Sequence, residues 1–287
     1  MTEKAITIKE KYQRTGLTEG TLIYNEWLKT KNLYRKDTED EFINWLYTIS
    51  GWFDKDIKGT YFDFDAEKVR QSANYQRFLH DYDHSLLNSD MIHLMLHSDY
   101  HLNGLEHQDE FVARFVRKPT DNYCYWQDKE LLTKLINKLI KKNKKLVVVN
   151  HAASLIAELK ASPAELKASP AELKASPAEK YPVIPIDTPQ TQLNGTAMPN
   201  DYKNSFEVLD EIFNKCVSIT PHEIGVFLIA FGAYSCLLAD KLNKQGYNTI
   251  VLGSGIQKLF PITIPKDKLH LYRPAEYAKI ENGKYWI

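Results

Sequence analysis

Neither sign of charge is in excess in this chain: 37 Lys and Arg balance 37 Asp and Glu over 287 residues. That balance excludes broad electrostatic capture by nucleic acid or by an anionic membrane, both of which need an extended basic face. Cysteine is scarce as well. Cys124, Cys216 and Cys236 form no C-x-x-C pair and are too few for a disulfide framework, so they read as reduced thiols of an intracellular-type protein. No apolar run approaches the roughly 20 residues of a bilayer crossing. The opening MTEKAITIKEKYQRTG has no apolar stretch of the secretory kind. Together these absences predict a cytoplasmic protein with no membrane span and no nucleic-acid partner. No G-x-G-x-G turn follows a first strand, which argues against a methyltransferase-type nucleotide site.

What is present is the alternation of an α/β fold. Val226–Phe231 is a continuous apolar run, as expected of a strand buried on both faces of a parallel sheet. Gly232 turns the chain, Ser235–Gln245 carries Leu237, Leu238 and Leu242 at helical spacing, and Gly246 stops it. Asn248–Leu252 is a returning strand that ends in Gly253-Ser254-Gly255. A βαβ unit whose strands both end in glycine places a ligand at the carboxyl edge of an open sheet.

Other segments extend the pattern. Residues 1–50 read as a helical N-terminal segment, with a capping box at Thr38-Glu39-Asp40-Glu41 and apolar Phe42, Ile43, Leu46 and Ile49 behind it. Helices are expected over Tyr75–Leu87, Leu131–Ile140 and Asn204–Cys216, buried strands at Met91–Leu96 and Leu146–Val149, and a short strand-like piece at Val183–Ile186. The predicted fold is a Rossmann-like open, mainly parallel sheet flanked by helices, a single domain over 51–156 and 180–287. Between the halves, 157–179 holds three copies of AELKASP and the start of a fourth. A proline every seven residues disrupts a regular helix, and seven residues are too few for a stacking repeat, so the run reads as a spacer-like insertion.

Candidate chemistry gathers in three places. Asp65 and Glu67 lie two apart in GWFDKDIKGTYFDFDAEK, so in an extended segment they share one face and suit one hard cation or one ribose; a solvated acidic turn fits the same string. His97 and Asp99 follow a strand's carboxyl end and are candidates for a general base. Gly232, Ala233, Tyr234, Gly253, Gly255 and Gln257 line the glycine loops, where turn geometry and packing are the structural alternative.

The glycine loops carry a resemblance. Phe231-Gly232-Ala233-Tyr234, the helix, Gly246-Tyr247 and Leu252-Gly253-Ser254-Gly255-Ile256-Gln257-Lys258-Leu259-Phe260 resemble the C-terminal pattern of GT-D-type glycosyltransferases, with G-A-Y and G-G-x-x-Q-x-x-F loops. Asp65-Ala66-Glu67, followed by Tyr75-Gln76, is similar to that family's Asp-x-Glu signature within R-x-G-D-G-E. Phe62 stands where the family has Arg, and Phe64 and Ala66 replace its glycines. The resemblance implies a transferase that moves a sugar from a nucleotide-diphosphate donor to a glycan or glycosylated-protein acceptor. It implies Mn²⁺ or Mg²⁺ at Asp65 and Glu67, a donor-pocket wall of Gly232, Ala233 and Tyr234 with backbone N–H groups of the following helix facing phosphate, and a neighbouring crevice lined by Gly253, Gly255 and Gln257. The altered motif makes a non-catalytic Rossmann-like protein that binds nucleotide-sugar or glycan, or serves in assembly, the alternative.

Overall fold

The structure is a computed structural model and describes residues 9–57, 65–97, 105–118, 129–140, 144–151, 153–154, 156–157, 181–189, 202–253 and 256–259. Residues 158–179 of the AELKASP insertion, Cys124, Asp99 and Gly255 lie outside the described residues. In chain order the elements are β1 Lys11–Arg14, α1 Leu17–Leu28, α2 Lys36–Thr48, α3 Ala66–Gln71, α4 Ala73–Ser85 and β2 Met91–His93. There follow α5 Leu105–Ala113, α6 Lys129–Leu139, β3 Lys145–Asn150, β4 Val183–Asp187 and α7 Ser205–Val217. The chain then runs through β5 Ile224–Ile229, α8 Ser235–Lys244, β6 Thr249–Val251 and α9 Ile256–Leu259.

Among the described residues six strands form one sheet in the order β2-β1-β6-β5-β3-β4, and each strand pairing is parallel. Strand side chains alternate between its two faces. Val147, Val149, Phe227, Ile229 and Val251 join the larger core, beneath α1, α2, α4, α5, α7 and α8. Leu146, Val148, Val226, Leu228 and Ile250 join the second core, beneath α6, Ala153, Ile156 and α9. Cover on both faces explains the unbroken apolar strands β3 and β5.

Two readings of the N-terminal segment change. The capping box at Thr38 does not start a helix: α2 begins at Lys36, with Arg35 at its N-cap. Asn25 fixes that start, accepting from Arg35 N–H at 3.1 Å and donating to its carbonyl at 3.1 Å. The segment is helical over α1 and α2, but it also supplies β1, which sits between β2 and β6 inside the sheet. Only Tyr12 of β1 enters the second core. Lys11 and Gln13 face the other side and are buried. Lys11 Nζ donates to the Ser85 carbonyl at 2.9 Å, to the Leu87 carbonyl, and to Asp240 at 2.9 Å. Gln13 donates to the Ser85 carbonyl at 3.0 Å. β1 is thus held by the unpaired carbonyls that end α4 rather than by apolar packing.

The connections locate the crevice. β1→β2, β4→β5 and β5→β6 step toward the β2 edge with helices on the larger core's face. β3→β4 steps toward the other edge, with Ala153 and Ile156 on the opposite face. This is the pattern of right-handed crossovers, and it makes β3/β5 the topological switch point.

Candidate functional site at the carboxyl edge

At the switch point Asn150 Nδ2 donates to the Ala230 carbonyl at 2.9 Å, and the Asn150 carbonyl accepts from Thr188 N–H at 3.2 Å. The ends of β3, β4 and β5 are therefore tied to one another. Beyond β5, Gly232 has φ +49° and turns the chain into α8. Its Cα faces the Ser50 carbonyl, which would lie 2.8 Å from a Cβ placed there.

The N–H groups of Phe231, Ala233 and Tyr234 are bonded within the protein. Ala233 N–H donates to the Ser50 carbonyl at 3.2 Å, Tyr234 N–H to the Phe231 carbonyl at 3.0 Å, and Phe231 N–H to Ser235 Oγ at 2.8 Å. Ala233 and Tyr234 are fully buried. The Tyr234 ring stacks on Phe231 at 4.5 Å and packs against Trp52 at 5.3 Å. Its hydroxyl donates to the Gly51 carbonyl at 2.8 Å and lies 2.9 Å from Ser205 Oγ. The Ser50–Trp52 strap thus covers the G-A-Y turn, whose Ala233 and Tyr234 N–H groups are bonded within the protein.

The neighbouring strand ends are different. Gly253, after β6, has φ +51°, and the Arg14 guanidinium lies directly against its Cα face, with Cζ 3.0 Å from where a Cβ would stand. Arg14 ends β1, beside β6 and opposite His93 of β2 in the parallel register. The β1–α1 turn, Thr15-Gly16, is closed over by Glu19, 3% exposed. Burial raises the Glu19 pKa. Its own backbone N–H, the Ser50 hydroxyl and the Arg14 charge oppose that rise. Burial together with Arg14 holds the His93 imidazole down at about 4. Burial also pushes the Cys236 thiol up to about 12; that thiol donates to the Arg14 carbonyl at 3.4 Å and accepts from Tyr82 at 3.3 Å. Perturbed ionisable groups around a charged guanidinium at a carboxyl edge mark a functional-site candidate.

Little in the hydropathy of Lys11–Arg14 announces a strand, and the sequence leaves this turn unread. The signal that exists is Arg14-Thr15-Gly16-Leu17-Thr18-Glu19, which keeps the Arg, the first Gly and the Glu of an R-x-G-D-G-E string, with Leu17 and Thr18 at the two intervening positions.

Asp65 and Glu67 are placed otherwise. Asp65 is the N-cap of α3, its Oδ1 accepting from Glu67 N–H at 3.1 Å and Lys68 N–H at 3.2 Å. Glu67 points to Arg70 and Gln71 of its own helix, with Lys36 at 3.8 Å. Arg70 in turn binds Glu39 at 2.9 Å and Asp40. The two carboxylates are not convergent. The donor set does not fit a divalent cation, and no group of three His, Cys, Asp or Glu among the described residues could hold one. His97 follows β2 at the same carboxyl edge. Its N–H donates to Thr21 Oγ1 at 3.0 Å, and its half-buried ring meets Phe42 and Trp45 edge-on at 5.3 and 6.2 Å. Gln257 lies on α9.

The fold and edge define an open, all-parallel Rossmann-like α/β protein. Comparison with known families, characterised proteins and solved structures gives no match. Among the described residues no helix is long and apolar enough to cross a membrane.

Proposed function

We propose that this chain is a glycosyltransferase that takes a nucleotide-diphosphate sugar at the carboxyl edge and passes the sugar to a glycan or a protein-linked acceptor. The observation that supports this most is Arg14 lying over the left-handed Gly253, at the edge where α/β proteins bind nucleotides. A guanidinium there neutralises a diphosphate, the charge that grows on the leaving group as the anomeric bond breaks. Glu19 and Ser50 position the β1–α1 turn beneath it. His97 is the described candidate to take the proton of the attacking acceptor hydroxyl. The charge role assigned to Mn²⁺ or Mg²⁺ by the resemblance to GT-D-type enzymes falls here to Arg14.

Calorimetry against UDP-, GDP- and TDP-sugars, with and without Mn²⁺, tests the proposal, together with detection of released nucleoside diphosphate. One donor is expected to bind, with affinity lost in Arg14→Ala and kept in the Asp65→Ala/Glu67→Ala double variant. Failure of every donor, with or without metal, overturns it.

A second reading, a non-catalytic nucleotide-sugar or glycan-binding or assembly protein, is favoured by the occupied N–H groups of the G-A-Y turn. Donor binding without any release of nucleoside diphosphate, across a panel of acceptors, would select it.

A further inference from the structure

Helix α4 carries two imidazoles one turn apart on its solvent side. Its inward face is Tyr75, Phe78, Leu79 and Tyr82, all buried. His80 and His84 stand on the opposite side, His80 with a side chain 71% exposed. Residues four apart on a helix lie one above the other. Here the two rings are neighbours, with centroids 5.1 Å apart and planes inclined by 48°.

That separation suits a shared metal ion. A Zn–N bond of about 2.1 Å plus about 1.1 Å from nitrogen to ring centre gives arms of about 3.2 Å, and two such arms at a tetrahedral angle put the centroids about 5.2 Å apart. The proton arrangement also agrees. His80 Nδ1 lies 3.0 Å from Asp81 Oδ1, and a carboxylate can only accept, so Nδ1 carries the hydrogen and Nε2 is left as a ligand. A carboxylate behind an imidazole fixes its tautomer and raises its basicity, as in metal centres generally. Asp81 is itself held by Arg77 at 3.2 Å.

We propose that His80 and His84 form a two-imidazole site for a divalent transition-metal ion of the Zn²⁺ class, with water in its remaining positions. The site is separate from the carboxyl-edge crevice and does not depend on the glycosyltransferase reading. A bound ion would clip the last two turns of α4, the helix whose terminal carbonyls hold Lys11 and Gln13 of β1.

The test is titration of metal-stripped protein with ZnCl₂ by calorimetry at about pH 7.5, because the metal ligand is the neutral imidazole. The parent, His80→Gln, His84→Gln and Asp81→Asn are compared. One tighter-binding Zn²⁺ per chain is expected in the parent, weakened by roughly tenfold or more in either histidine variant, because the second imidazole acts at high effective concentration. Asp81→Asn should weaken it by roughly tenfold through loss of the partner behind His80. Saturating Zn²⁺ should raise the melting temperature of the parent and not of the histidine variants; these exposed positions leave the fold intact by circular dichroism. The chain has nine histidines. Unchanged zinc affinity in both histidine variants would place the ion elsewhere and overturn the proposal, as would absence of zinc binding in the parent.

Discussion

Three glycines in left-handed backbone separate the cost of conformation from the cost of contact. Gly246 (φ +86°) has open space where a Cβ would go, Gly232 (φ +49°) faces the Ser50 carbonyl at 2.8 Å, and Gly253 (φ +51°) faces the Arg14 guanidinium. Alanine at Gly246 should cost only the left-handed conformation, about 1 kcal/mol. At Gly232 the same conformational cost is joined by displacement of a backbone carbonyl. That carbonyl accepts from Ala233 N–H in the buried strap, so the lost hydrogen bond adds about 1 kcal/mol and the forced shift about 1 kcal/mol more. Gly232→Ala should therefore lose about 3 kcal/mol. At Gly253 the obstacle is the end of a long side chain, which swings aside cheaply. Gly253→Ala should lose only about 1 kcal/mol of stability while moving Arg14 off its place. Urea unfolding of the three variants gives the stabilities, and calorimetry with a bound donor gives the function. Equal losses at Gly232 and Gly246 would refute the role of the Ser50 strap. Undiminished donor affinity in Gly253→Ala would refute the placing of Arg14 in the site.

Further outcomes follow from the same geometry. Tyr234→Phe removes the hydroxyl that reaches the Gly51 carbonyl and Ser205 Oγ and should cost about 1–2 kcal/mol by urea unfolding; donor affinity should be unchanged, and its loss would return Tyr234 to the donor wall. His93 stays neutral in the fold down to about 4 but titrates at 6.5 when unfolded, so the unfolded chain alone gains the proton and stability falls as pH drops through that window. The ring is only partly buried, so we expect about 1–2 kcal/mol, and His93→Gln should flatten the stability profile between those two pH values; an unaltered slope would refute it. Lys11→Ala takes one of two partners from a buried Asp240 and removes a donor from the carbonyls that end α4, for a loss of about 3 kcal/mol by the same unfolding assay. Asp240 keeps Lys244 at 2.6 Å as a second partner, so a loss well above that figure would mean β1 itself detaches.

The elements legible in the sequence are those whose side chains obey one rule over their whole length. β3 over Leu146–Val149 and β5 are apolar because both faces are covered, and α6 and α7 keep one apolar stripe. Asn204, where the sequence places the start of α7, caps it by accepting from Phe206 N–H and Glu207 N–H. The glycines after β5 and β6 are legible as turns for the same local reason. What occupies those turns is not, because the Ser50–Gly232 and Arg14–Gly253 contacts join residues far apart in the chain. The acidic pair fails locally. Asp65 and Glu67 share a face only in extended chain, and the chain here enters α3, where Asp65 finds N–H groups one turn ahead.

β1 explains why the most suggestive part of the edge is also the least readable. A strand inside a parallel sheet is expected to be apolar on both faces, yet β1 presents Lys11 and Gln13 to the larger core. Their burial is tolerable because α4 ends there with carbonyls that lack intrahelical donors, and Asp240 neutralises the ammonium. Such hydrogen bonds have direction, which apolar contact lacks, so they set the strand's register against α4 as well as its depth. A slip of one residue would put Tyr12 against those carbonyls and Lys11 into the second core. The register that seats Lys11 also delivers Arg14 to Gly253 and sets the turn that Glu19 closes. The polarity that hides β1 from a hydropathy reading is what aims its carboxyl end.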